Sequence, residues 1–177
     1  MKHKISAKRL ADVLFESAKS TDCLDAARDS IIDFDRILRM NNDLKSLVQS
    51  KMFSQSQKQT ILIDSLGSSF NGLVLGVVSY VDGMLAYKTI NQIKKLFIEK
   101  YKHAKNIVSV HAVFSAQMSD EDLKFMEKKI SDLLNKETEL TIEVDESLIG
   151  GARFRIENIF LDASIKSQLK NIKSDLM

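Results

Sequence analysis

Three histidines, a lone cysteine, an acidic triplet, a lysine-rich segment and a paired-glycine segment are where this sequence could carry chemistry. His3, His103 and His111 have no cysteine, aspartate or second histidine at metal-ligand spacing, so they read as incidental. Cys23 would be a reactive thiol only beside a base, and the sequence offers none; it reads as structural and has no partner for an intramolecular disulfide. Asp120-Glu121-Asp122 could hold a metal or move protons. The positive end of a helix explains the same triplet, because it favours such charges by ~0.3–1 kcal/mol each. Lys88, Lys94, Lys95, Lys100, Lys102 and Lys105, near Tyr87, Phe97 and Tyr101, resemble a nucleic-acid surface. Yet Phe97 and Tyr101 continue the stripe of Ile90 and Ile93, which turns the aromatics to the core and leaves the lysines as a solvated face. No GxxxxGK[ST] or GxGxxG loop occurs. Gly72 and Gly76 lie within a helical pattern, where glycine serves close helix packing. Val144-Asp145-Glu146-Ser147-Leu148-Ile149-Gly150-Gly151 is the sharpest feature. Two glycines after an apolar pair mark a turn or bulge with special backbone geometry.

These residues need elements to position them. The chain has 177 residues, 44% of them hydrophobic, enough for a packed core. The net charge is +2, too near balance for bulk attraction to nucleic acid. Residues 1–104 hold 16 basic and 11 acidic side chains, a net of +5, whereas residues 105–177 hold 10 and 13, a net of −3. The change of sign hints at two units. No apolar run approaches the ~18 residues of a membrane span, and no signal or transit peptide is expected. Proline is absent, so caps, glycine and polar clusters must stop the helices.

Apolar residues recurring at three and four predict helices over 6–19, 22–40, 43–50, 54–66, 69–82 and 85–104. Ser20 or Thr21 can cap the second. Ser54-Gln55-Ser56-Gln57 reads as a capping box, with Ile61, Leu62 and Leu66 as core behind it. The fifth helix has the widest stripe, hence the deepest burial, and Gly83 ends it. Short connections favour a bundle. The period then changes. Residues 107–114 read as a strand, 119–134 as an amphipathic helix, 140–144, 152–156 and 159–163 as strands, and a last helix starts near Ser164 with Ile165, Leu169 and Ile172 as its stripe. Asn158 supplies the left-handed residue of the turn at Glu157-Asn158. The expected fold is α+β: an N-terminal six-helix bundle over 1–105, then a small α/β domain over 106–177.

At Asp145-Glu146-Ser147-Leu148-Ile149-Gly150-Gly151 the sequence resembles the "DpsLIGG" segment of the ATP synthase delta subunit family, which includes the mitochondrial oligomycin-sensitivity-conferring protein. Arg155, Asp162, Ser164, Lys166 and Leu169 continue the likeness. Residues 7–18, Ala7-Lys8-Arg9-Leu10-Ala11-Asp12-Val13-Leu14-Phe15-Glu16-Ser17-Ala18, resemble the family's opening helix. The resemblance spans the whole chain. Leu10 stands where the family usually has tyrosine and Glu146 where it often has proline. Glu157 and Ala163 replace glycines around the terminal hairpin, which bears on the turn geometry there.

The resemblance implies a stator subunit of a rotary ATP synthase, with no catalysis and no cofactor or metal. It implies that the bundle grips the N-terminal helix of an alpha subunit between its first and fifth helices, at Leu10, Val13, Leu14, Val74 and Val78. Leu14 and Val78 could equally be plain core. It implies that the C-terminal domain holds the b subunits of the peripheral stalk, with Asp145, Leu148, Ile149, Gly150, Gly151, Asp162 and Ser164 as structural signature. The location implied is peripheral, at the cytoplasmic face of a bacterial inner membrane. Two other classes stay open on the residues alone: a nucleic-acid adaptor using the sixth helix, and an enzyme whose site is not recognisable.

Overall fold

The structure, a computed structural model, describes residues 6–175. The elements run α1 (Ala7–Ser20), α2 (Leu24–Met40), α3 (Asn42–Gln49), α4 (Gln55–Leu66), α5 (Gly72–Ser79), α6 (Ala86–Lys105), β1 (Ile107–Phe114), α7 (Asp120–Leu134), β2 (Glu137–Val144), β3 (Gly151–Ile156), β4 (Ile159–Ser164) and α8 (Ile165–Asp175). The fold is α+β, helices first and then a small mixed sheet. The chain divides into two compact units between Tyr101 and Lys102.

Unit 1 carries α1 to α5 and most of α6. Side-chain caps start several of its helices. Ser6 Oγ accepts the Arg9 amide at 3.3 Å. Ser54 and Gln57 close the capping box, 3.3 Å one way and 2.9 Å the other. Asn71 accepts from Leu73 N at 2.9 Å and opens α5.

The second helix differs from expectation. Its N-cap is Cys23, with no side-chain cap. Ser20 and Thr21 instead donate their hydroxyls to Ser17 O, at 2.9 and 2.8 Å, and so finish α1. The fifth helix is shorter than the stripe over 69–82 suggested. Gly67–Ser69 forms a 3-10 turn, and Ser30 Oγ accepts the Asn71 amide at 2.8 Å where α5 begins. Its deep burial holds, for most of its side chains are enclosed. Gly83 lies beyond its end: with φ +80° it donates its N–H to Gln49 O at 2.9 Å, tying the loop before α6 to the end of α3.

Phe34, Phe97, Leu14, Ile31, Leu38, Leu62, Leu75, Ile90 and Ile93 make the centre of the core. Full burial of each such side chain contributes about 1.5–3 kcal/mol. Phe15 meets Phe97 edge-on, as Phe34 meets Phe70. Two charged groups are enclosed with them. The Asp35 carboxylate takes Lys94 Nζ at 2.5 Å, Arg39 at 3.0 Å and Asn91 Nδ2 at 3.5 Å. Lys58, 2% exposed, donates to Val48 O at 2.8 Å and Val81 O at 3.1 Å. Sequence reasoning placed only Ile61, Leu62 and Leu66 in the core of α4. Leu62 is buried, Ile61 and Leu66 are half-buried, and Lys58 is the other buried member.

Unit 2 holds a four-stranded sheet in the order β2-β1-β3-β4. β1 and β2 run parallel with α7 between them in sequence, and the other pairings are antiparallel. Strict alternation in β1 buries Val108, Val110, Ala112 and Phe114. Ala112, Phe114 and Ala152 form the core cluster, with Met126, Leu140, Ile142 and Phe154 packed on it. Ser119 caps α7 ahead of the acidic triplet, which fills the first turn as a helix dipole favours. In the β3–β4 turn the positive φ, 50°, falls on Glu157 rather than Asn158.

Candidate functional site

The residues singled out on the first and fifth helices come together. α1 packs against α5, and Leu10, Leu14, Val74 and Val78 are all buried. Val13 differs, being 51% exposed. Tyr80, just past α5, is half-exposed as well. Gly72 and Gly76 do not serve close packing. A Cβ on Gly72 would meet nothing within 4 Å, and one on Gly76 only the Gln59 amide at 3.6 Å.

The paired-glycine segment explains itself in backbone terms. β2 ends where Asp145 N donates to Phe114 O at 2.9 Å. Asp145 Oδ1 then accepts Ser147 N at 3.0 Å, folding the chain so that Leu148 is buried and Ile149 is left 81% exposed. Gly150 O accepts Ile165 N at 3.0 Å, tying this turn to the start of α8. A Cβ on Gly150 would lie 2.7 Å from Ile165 Cδ1. Gly151, with φ +81°, has no room at all, since its Cβ would sit 2.4 Å from Ala163 O and 2.9 Å from Ser164 Cα. The alanine at 163 therefore does its part through its backbone, and its own φ is not positive.

Two aspartates finish this clasp in the same way. Asp162 Oδ1 accepts Ser164 N at 3.0 Å, and buried Ser164 accepts Ser167 N at 3.3 Å to begin α8. The hydrogen bonds from Ser147 and Ser164 hold the Asp145 and Asp162 carboxyls below their ordinary range, with Arg153 adding to both. Arg153 stands opposite Asp162 across the ladder, and its Nη1 is 3.9 Å from Asp145 Oδ2. Arg155 donates to Glu157 O at 3.2 Å and lies over the Phe160 ring.

Among the described residues no nucleophile and base are brought together. His111 Nε2 is 3.3 Å from Glu143 across the β1–β2 pair, and His103 is exposed. His3 lies outside the described residues. Cys23 is a free, half-buried thiol beside Thr21 Oγ1 at 3.0 Å. Among the described residues no three histidine, cysteine or acidic side chains are grouped as metal ligands, and no helix is long and apolar enough to cross a membrane. The lysines of α6 are not one solvated face. Lys94 reaches Asp35, Lys100 reaches Asp12 at 3.0 Å, and Lys102 reaches Glu139 and Ser109 at 2.5 Å each; of the six, Lys88, Lys95 and Lys105 are plainly exposed.

Sequence reasoning missed the apolar surface of unit 2. Ile159, Phe160 and Leu161 on β4 are exposed, as are Ile165, Leu169 and Ile172 on α8. The signal was present: three consecutive large apolar residues in a strand place apolar groups on both sheet faces, more than one core can use.

The model of the ATP synthase delta (OSCP) subunit family matches residues 7–176. The chain is similar to the ATP synthase subunit delta of Methylobacterium sp. (strain 4-46), 27% identical over 169 residues, covering 94% of this chain and 88% of that one. It is similar to that of Clostridioides difficile (strain 630), 23% identical over 175 residues, covering 97% and 96%. It is similar also to that of Mycoplasma mycoides subsp. mycoides SC, 29% identical over 163 residues, covering 85% and 89%. A chain in the cryo-EM structure of the Toxoplasma gondii mitochondrial ATP synthase hexamer shares the fold, with TM-score 0.57, 17% identity and 96% of each chain covered.

Proposed function

The chain belongs to the ATP synthase delta (OSCP) subunit family, and on that premise we propose how its two units divide the work of a non-catalytic peripheral-stalk subunit. The observation that carries the reading is the extent of the family match, which runs through both units and includes the clasp at residues 145–151.

Unit 1 acts as a six-helix bundle that receives the N-terminal helix of an alpha subunit on the α1–α5 face. Leu10, Leu14, Val74 and Val78 hold that face rigid from beneath, and Val13 is the side chain that meets the partner. A helix laid in an apolar groove is a common recognition mode, and buried apolar area returns ~25 cal/mol per Å² before ordering costs are subtracted. Unit 2 holds the b subunits. Its clasp residues Asp145, Leu148, Gly150, Gly151, Asp162 and Ser164 fix the start of α8, and Ile149 stands at the surface. The chain sits peripherally, through the complex, at the cytoplasmic face of a bacterial inner membrane. Holding the non-rotating parts together requires slow dissociation and no bond-making.

The test is reconstitution. The purified chain should join catalytic heads and b subunits into one complex on size exclusion, and heads truncated at the alpha N-terminus should fail to take it up. Uptake unaffected by that truncation would refute the alpha assignment.

A further inference from the structure

We propose that the exposed apolar face of unit 2 receives a partner helix whose apolar stripe is flanked along one side by carboxylates; this rests on reading unit 2 as the stalk-binding unit. On α8, Ile165, Leu169 and Ile172 recur at three and four and are all exposed. Lys166, Lys170 and Lys173 repeat the same spacing one position later, so they form a second stripe about 100° round the helix from the first. The opposite flank carries Gln168 instead, an uncharged side chain. One side of the apolar strip is therefore basic and the other is not.

Those lysines have no ion-pair partner among the described residues. This sets them apart from Lys94, Lys100 and Lys102 of α6, each of which has a carboxylate of its own chain. Like charges at i and i+4, as Lys166 and Lys170 are, work against a helix that carries them unpaired. A row of carboxylates on a docked helix, spaced at the same three and four, would relieve that repulsion and fix which way round the partner lies.

A basic amphipathic helix can also lie on an anionic lipid surface. Two features favour a protein helix. Exposed apolar side chains are not confined to α8, for Ile159, Phe160 and Leu161 stand exposed on β4, the strand that leads directly into it. The lysines line one flank only, whereas a helix sunk in a bilayer surface is served by cations on both.

The experiment uses the full chain and the soluble segment of a b-type stalk subunit, followed by calorimetry. Affinity should fall as potassium chloride rises from about 50 to about 500 mM, because the pairs lie at a solvent-exposed rim. Lys166→Gln/Lys170→Gln/Lys173→Gln should bind roughly tenfold more weakly and lose most of that salt dependence. Leu169→Asp should abolish binding at every salt concentration. Equal binding by the triple variant, or affinity indifferent to salt, overturns this inference and leaves the stalk reading standing. Failure of the wild-type chain to bind the b segment at any salt concentration defeats the stalk reading, and this inference with it. Lysine-dependent binding to phosphatidylglycerol vesicles that competes with the b segment assigns the face to lipid and overturns the proposal.

Discussion

Gly151 and Ala163 approach so closely that a Cβ on the glycine would lie 2.4 Å from the alanine's carbonyl oxygen. The obstacle is backbone on a paired strand, so it cannot swing aside. Gly151 also has a φ of +81°, which side-chain-bearing residues rarely adopt. Gly151→Ala should therefore cost at least about 2–4 kcal/mol, beyond the effect of an ordinary surface substitution. Thermal unfolding of the full chain measures it. Gly72→Ala is the control: it has open space and should change stability little.

The Asp145 and Asp162 carboxyls titrate below their ordinary value of 3.8 because Ser147 and Ser164 hydrogen-bond their charged forms. A depressed folded-state pKa gives stability that is present above the unfolded value and lost as pH falls through the folded one. Unit 2 should thus loosen as pH drops below 3.8. Asp145→Asn/Asp162→Asn should start less stable at neutral pH and show a shallower loss over that acid range. Denaturant midpoints followed against pH would give the two slopes; parallel slopes would contradict the assignment.

Burial pulls the Lys58 ammonium below its ordinary 10.5, more than the neighbouring Asp82 charge raises it. For a base with a lowered folded-state pKa the unfolded chain binds the proton more tightly, so stability rises with pH up to 10.5. Lys58→Met should remove that alkaline rise. At neutral pH it leaves Val48 O and Val81 O without their donor, at a cost of about 1–3 kcal/mol, which relief of the buried charge partly offsets. Urea unfolding at neutral and alkaline pH separates the two effects.

Val13 and Val78 answer different questions about the α1–α5 face. Val78 is buried, and an aspartate there should unfold unit 1 outright. Val13 is half-exposed. Val13→Asp should keep the helical circular dichroism and melting temperature of the wild type. It should weaken binding of a peptide from the alpha N-terminus by roughly tenfold, the share of one well-packed apolar contact. Unchanged affinity would remove Val13 from the contact.

Local periodicity revealed much of this fold. Alternation over residues 107–114 announced β1, and Ser54 with Gln57 announced the start of α4 three residues apart. The errors arose where a distant group decided the local geometry. Ser30 accepts the Asn71 amide from 41 residues away, where α5 starts. Lys58 is drawn inward by carbonyls 10 and 23 residues distant, which no stripe of apolar residues could reveal. The left-handed residue of the last hairpin is Glu157, against the intrinsic preference for asparagine, because the ladder register on both sides fixes the turn. The clasp was legible as a pattern before its reason was. Spacing flagged the two glycines, but only the neighbours they meet say why: the Ile165 side chain for Gly150, and the backbone of residues 163–165 for Gly151.

β4 ends the sheet on one side, so among the described residues one edge of its main chain has no strand beside it, and Ile159, Phe160 and Leu161 make it greasy on both faces. Such an edge invites identical strands to stack on it. A copy of the chain whose β4 edge is left uncovered should therefore be prone to self-association, and one whose edge is covered should not.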